Sequence, residues 1–225
     1  MVNCFPALLI IGIEDRIEEK RMSLVRAAAN ALARGISGPL PKYFNAEEVH
    51  RILEAMSNDK ESHLIVHFLW KTGVRASEAI QVRLGDIDPY NKTLRVVTLK
   101  KSRRKKRGPR AVREHERIIP IQDDLLAEIL TWSREKDLEY HGLLFPFTRS
   151  TLFRRVRKAC HKAGFKDERA HPHTFRHSYA VHLLKNGVPV TVVQALLGHS
   201  SIENTAIYLA IVQSEATEMV RRVEW

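Results

Sequence analysis

Between Ser62 and Lys71 the chain carries Leu64, Ile65, Val66, Phe68, Leu69 and Trp70, which a helix distributes around most of its circumference. Such a helix cannot lie on a surface. It must sit at the centre of a fold, with neighbours that supply matching apolar faces. Gly73 stops it where a left-handed residue closes a helix. Upstream, Asn45 and Glu48 have the spacing of a capping box and open a helix through Ala55. With 225 residues, 44% hydrophobic and 28% charged, the chain can bury such a core without staples and is not of disordered composition. The length predicts one or two domains. Cys4 and Cys160 are the two cysteines, which excludes a disulfide framework and fits a reducing cytosol. No apolar run reaches the ~18–20 residues of a membrane span. Phe5–Ile13 has neither the preceding basic residues nor the following cleavage site of a signal peptide. The expected setting is cytoplasmic.

The remaining elements follow from period and punctuation. A helical stretch over Glu14–Ala33 and a linker at Gly38-Pro39-Leu40-Pro41 precede the capping box. A short helix after Arg75 leads to a turn over Asp86–Tyr90. Thr93–Leu99 and Arg117–Ile121 are strand-like runs joined by a polar connection, a long-tipped hairpin. Helices are predicted over Asp123–Glu135, Ser150–Ala163, Pro172–Lys185, Val190–Leu197 and Ile202–Ile211, with a final short helix to Arg222. Gly198 ends one of these, and Ser200 with Glu203 caps the next. The predicted fold class is α+β, mostly helical with one small antiparallel sheet.

Charge is concentrated. From Lys100 to Arg117 ten lysines and arginines face only Glu114 and Glu116, a window of +8 in a chain of +11. A dense basic segment on a nearly balanced body is the footprint of a nucleic-acid contact, and equally of a solvated loop.

Residues that could carry chemistry are weak signals singly. His63 and His67 have the i, i+4 spacing of metal ligands, but the Glu that a zinc hydrolase places beside its first histidine is missing, so they read as core histidines. Cys160, His161, His171, His173 and His177 crowd one region without finger spacing, and no metal is expected there. No phosphate loop of the GxxxxGK[ST] kind occurs. His173 and Arg176, one turn apart behind Pro172, would suit a phosphate at a helix N-terminus. His199 sits in a tight gap between helices, and Tyr208 follows nine residues later among apolar neighbours.

Taken in order, these pieces become specific. Thr72-Gly73-Val74-Arg75-Ala76-Ser77-Glu78, a lysine at the start of a hairpin, His173-Thr174-Phe175-Arg176-His177, Leu196-Leu197-Gly198-His199-Ser200 and Tyr208 together resemble the tyrosine recombinase (phage integrase) family, in its Xer-like or archaeal-integrase branch. The resemblance runs from about Pro41 to Arg222. It implies that family's catalytic-domain fold over 41–225 and a site of Arg75, Lys100, His173, Arg176, His199 and Tyr208.

The resemblance implies cleavage and rejoining of double-stranded DNA through a 3′-phosphotyrosyl intermediate, with neither metal nor ATP. Tyr208 would attack the scissile phosphate, and Arg75 and Arg176 would clamp its oxygens. Lys100 would protonate the leaving 5′ oxygen, being chosen over Lys101 because it directly follows the strand. His173 would accept the tyrosine proton or orient its hydroxyl, and His199 would donate to a phosphate oxygen. Lys101, Arg103, Arg104, Lys105, Lys106 and Arg107 would contact DNA from a hairpin longer than the family's usual short turn. Forty residues precede Pro41, fewer than the family's separate core-binding domain needs, so residues 1–40 are expected to be a helical segment and linker with that domain absent or truncated. The tail after Tyr208 would dock on a neighbouring protomer in a homo-tetramer on paired sites. The competing readings are an idle DNA-binding relative that regulates recombination and a type IB topoisomerase.

Overall fold

Helix α1 (Ala46–Ala55) opens on the capping box that its sequence predicts: the Glu48 amide donates to Asn45 Oδ1 at 2.8 Å, and the Asn45 amide donates to Glu48 Oε2 at 2.9 Å. The computed structural model describes residues 40–101, 112–199 and 203–221. Helix α2 (Lys60–Thr72) is the central apolar helix, and Leu64, Ile65, Val66, Phe68, Leu69 and Trp70 are all buried. Each such side chain contributes about 1.5–3 kcal/mol. Asp59 caps its start by accepting from the Ser62 amide at 3.0 Å, and Gly73 closes it at φ 61°.

After the short helix α3 (Ala76–Ala79) and a 3₁₀ turn at Leu84–Asp86, the chain forms an antiparallel sheet in the order β1-β2-β3: β1 (Ile87–Asp88), β2 (Thr93–Lys101) and β3 (Val112–Pro120). Leu94 lies opposite Ile119, Val96 opposite Arg117, and Lys100 opposite Arg113. Leu94, Val96, Ile119 and Ile121 are buried while Arg95 and Ile118 are exposed, so one face is core and the other wet. Helices α4 (Asp123–Glu135), α5 (Arg149–Lys162), α6 (Pro172–Lys185) and α7 (Val190–Leu197) follow. Helix α2 contacts α1, α4, α5 and α6, which is how its whole circumference is covered. Aromatic edges lock this core: Phe44 meets Phe165 and Phe175 at 5.2 and 5.4 Å, and Phe68 meets Phe145 at 5.3 Å.

Two compact units are present, Pro41–Gly198 and a second to which His199 and residues 203–221 belong. In the second, one helix, α8 (Glu203–Arg221), replaces the two separate helices expected, because the sequence between them holds no glycine or proline to break it. Strand β2 also runs past Leu99 to Lys101, so Lys100 lies inside the strand and does not follow it. Strand β1 is an addition, formed where only a turn was expected. The helix over Glu14–Ala33, Gly38 and Pro39 of the linker, the tip residues Arg103, Arg104, Lys105, Lys106 and Arg107, and the Ser200 cap lie outside the described residues. Among the described residues no helix is long and apolar enough to cross a membrane.

Candidate active site

Gly73 ends α2 in a left-handed conformation, and Arg75 follows at the N-cap of α3. The turn is tightly fitted: a Cβ on Gly73 would lie 2.3 Å from Cδ1 of Tyr179 on α6. Arg75 is gripped from two sides by Glu78, whose Oε2 accepts from the Arg75 amide at 2.8 Å and whose Oε1 accepts from Nη1 at 2.9 Å. The same carboxylate accepts from Arg117 on β3, Nη1 at 3.1 Å and Nη2 at 2.7 Å, and from Thr98 Oγ1 on β2 at 2.7 Å. Burial works against the charge on Glu78, but the Arg117 hydrogen bonds and charge, with Thr98 and the Arg75 amide, overcome it and hold the carboxyl at about 2. It is an anion in any working buffer.

Arg176, one turn into α6, is 1% exposed. Its Nη1 donates to the Gly73 carbonyl at 2.7 Å and its Nη2 to the Leu197 carbonyl at 2.6 Å. Two carbonyls thus fix the orientation of the guanidinium. Arg117 completes a similar hold through Nε to the Leu196 carbonyl at 2.8 Å, which fixes the last turn of α7. Helix α6 starts on Pro172, and His173 stands in its first turn with its ring 4.5 Å from that of His177. The pKa of His173 is lowered, first by the protein packed around it and then by the charges of Arg176, His171 and Arg75. It is a neutral imidazole near pH 7, able to accept a proton.

Arg75, His173, His171 and Arg149 line one cleft of about 510 Å³, together with Val74 and Phe153. Two of the predicted site residues thus share a wall, and Arg176 is tied to the same loop through Gly73. In the second unit His199 Nδ1 lies 2.9 Å from Thr205 Oγ1, and its ring is parallel to that of Tyr208 at 6.5 Å. Tyr208 is buried, at 2% exposure. Lys100 and Lys101 close strand β2 opposite Arg113 and Val112. Tyr179 is no competitor as a nucleophile, since burial raises its hydroxyl to about 12 despite Arg117 and Arg176 nearby. Cys160 is likewise inert: burial, then the charge of Asp167, pushes its thiol up to about 12.

Three features escape a sequence reading. Glu78 organises two arginines; its signal is an acid three residues after Arg75, the N3 position of α3. Arg117 belongs numerically to the basic window but is drawn inward, half-buried, into the ion pair with Glu78. Its signal is the strand period, since 117, 119 and 121 share the inward face. Third, α5 carries Arg149, Arg154, Arg155, Arg157, Lys158 and Lys162 and no acid, with Arg149, Arg154, Arg157, Lys158 and Lys162 exposed. A near-neutral charge outside the basic window conceals this second cationic surface.

The model of the phage integrase family matches residues 42–215. A tyrosine recombinase of Pseudothermotoga lettingae is 30% identical over 188 residues, covering 82% of this chain and 61% of that protein. Tyrosine recombinase XerA of Pyrococcus furiosus is 32% identical over 192 residues, covering 81% and 62%. The chain spans about three fifths of the length of these curated relatives. Among solved structures, XerA recombinase superposes with a TM-score of 0.64 at 25% identity, over 84% of this chain and 66% of that one. XerH site-specific recombinase bound to palindromic difH substrate in a post-cleavage complex gives 0.63 at 23% identity, over 82% and 54%, a likeness of fold.

Proposed function

The chain belongs to the phage integrase family, and on that premise we propose that it is a site-specific recombinase that cuts and rejoins double-stranded DNA through a 3′-phosphotyrosyl ester on Tyr208. The observation that carries this reading is the cleft where Arg75, fixed by a buried carboxylate, stands beside a neutral His173, with Arg176 anchored to the same loop. Such fixed cations act where charge develops on a phosphate in transfer, and each is typically worth ~10²–10³ in rate. The naming of its relatives as tyrosine recombinases supports the same chemistry.

In this reading the Tyr208 oxygen attacks the scissile phosphorus while the bond to the 5′ oxygen breaks. His173 takes the phenolic proton, and Lys100 supplies a proton to the leaving oxygen. Arg75, Arg176 and His199 hold the non-bridging oxygens. The ester keeps the bond energy, so attack by a 5′ hydroxyl reseals the strand without ATP. The exposed cations of α5 and the Lys101–Arg107 tip supply the phosphate contacts that any duplex offers. A DNA partner is further supported by the XerH complex with its difH substrate. We extend the reading to a homo-tetramer on paired sites, assembled through the tail after Tyr208, and to a cytoplasmic setting.

The test is a nicked suicide duplex whose released fragment diffuses away. The wild-type chain should leave an SDS-stable adduct, and Tyr208→Phe should bind the duplex without forming one. An adduct that survives the substitution would displace Tyr208 as nucleophile. Binding without any adduct would favour the idle regulatory relative, and site-independent relaxation of supercoiled DNA a topoisomerase. Deleting Gln213–Trp225 should spare single-site cleavage but abolish multimers on paired sites. A truncated chain that still assembles would remove the tail from that role.

A further inference from the structure

His63 and His67 lie one turn apart on α2, so their imidazoles leave the helix on one side. Helix α4 sets Glu128 against both. His63 Nδ1 is 2.6 Å from Glu128 Oε1, and His67 Nδ1 is 2.6 Å from Glu128 Oε2. One ligand atom from each of the three residues lies within 4.8 Å of the others. A tetrahedral zinc ion bound at about 2.0–2.1 Å places its ligand atoms about 3.3–3.5 Å apart, so small side-chain rotations suffice to close on an ion.

Two further observations distinguish this set from histidines merely satisfied by a carboxylate. On the far side of the His67 ring, Nε2 lies 3.5 Å from Asp124 Oδ2, and Lys71 holds Asp124 at 3.0 Å. That places a carboxylate near the ring nitrogen opposite Nδ1, where a carboxylate that orients a metal-bound imidazole stands. Finally, a groove of about 550 Å³ between α2 and α4 is lined by His63 and Glu128, which gives an ion a path in and leaves room for a water ligand.

We propose that His63, His67 and Glu128 form a site for a divalent zinc-type ion that clamps α2 to α4, apart from the strand-exchange chemistry. Each imidazole that binds through Nδ1 carries its remaining proton on Nε2, where in His67 it faces Asp124. The ion would brace the helix whose end, at Gly73, orients Arg176. Its role is structural, so it adds no step to the reaction.

Titration of the full chain with zinc chloride in a non-chelating buffer should show one ion bound per chain. At free zinc about 100 times the dissociation constant, Tm should rise by about 5–10 °C. His63→Gln, at a half-buried position, and Glu128→Gln should lose both the binding and the rise. Asp124→Asn should weaken binding by about 10–100-fold, an effect expected of a group that orients a ligand. Cobalt in place of zinc should give the absorption of a four-coordinate nitrogen and oxygen site, absent in His63→Gln. His115→Gln, at an exposed histidine, should change nothing. A wild-type chain that neither binds zinc nor gains stability would overturn the site, leaving a hydrogen-bonded brace. Binding that survives both His63→Gln and Glu128→Gln would overturn it equally, by placing the ion on other histidines.

Discussion

Arg117 grips both carboxylate oxygens of Glu78, Nη2 to Oε2 at 2.7 Å and Nη1 to Oε1 at 3.1 Å. That pair links the sheet to the loop bearing Arg75, because the same carboxylate also holds Arg75 Nη1. The link should be visible in the pH dependence of stability. The Glu78 carboxyl falls from 4.5 to about 2 in the folded chain. A depressed acid stabilises above its unfolded value and loses that contribution as pH falls toward the folded one. Glu78→Gln should therefore cost about 3 kcal/mol at pH 7, and the difference from wild type should shrink between pH 4.5 and 2. Chemical denaturation across that range measures it, and a difference independent of pH would refute the linkage.

Arg176 is held by two carbonyls at the ends of separate helices, and a lysine cannot reach both with one ammonium. Arg176→Lys should lower stability by about 1.5–3 kcal/mol and slow adduct formation by about 10²–10³. Unfolding curves and single-turnover adduct assays read the two effects separately. Full activity in the lysine variant would mean that charge alone, without the fork, serves the site.

His173 titrates below its ordinary value of 6.5 because of its surroundings and the nearby Arg176, His171 and Arg75. The unfolded chain takes up that proton more readily, so this group's contribution to stability is lost as pH falls below 6.5. The acid limb of the adduct-formation profile should have its midpoint below 6.5, and His173→Gln should remove that limb along with most activity. A midpoint at or above 6.5 would contradict His173 as the proton acceptor.

Counterion release makes log K fall with log salt by ~0.9 per neutralised phosphate. Replacing four cations of the Lys101–Arg107 tip with serine should flatten that slope by about 3–4. The same count of changes on α5, at Arg149, Arg154, Arg157 and Lys158, should flatten it comparably. An unchanged slope in either set would leave that surface as a solvated face, and gel shifts at several salt concentrations decide it.

What the sequence reveals is mostly local. The start of α1, the end of α2, the start of α6 and the end of α7 are written in a cap, a proline and glycines that act within a few residues, and the structure places them at the positions those signals mark. Strand β1 is two residues long and exists only because β2 lies beside it, so nothing in its own composition announces it. The fused helix α8 shows the opposite fault: a pause in apolar period is no break without a residue that stops the backbone. In the site, Arg75, His173 and Arg176 are legible as a motif, but Glu78 becomes the organising group only when β3 brings Arg117 to it. Glu128 is in the same position, since its partners His63 and His67 lie more than sixty residues away in sequence. Long-range pairing of charges has no period to read.

The ring of Tyr179 fills the space where any other residue at 73 would place its side chain. Positions 73 and 179 therefore cannot vary independently, and neither is freely mutable although neither donates a group to the proposed reaction. Alanine at 73 alone meets the ring, and a smaller residue at 179 alone leaves a void beside the loop. Changed together they relieve the clash, though a left-handed residue other than glycine still costs about 1 kcal/mol. A saturation library over both positions should show sign epistasis, with double substitutions surviving where each single one fails. Evolution of altered target preference in this scaffold would have to pass through that coupled pair or leave it untouched.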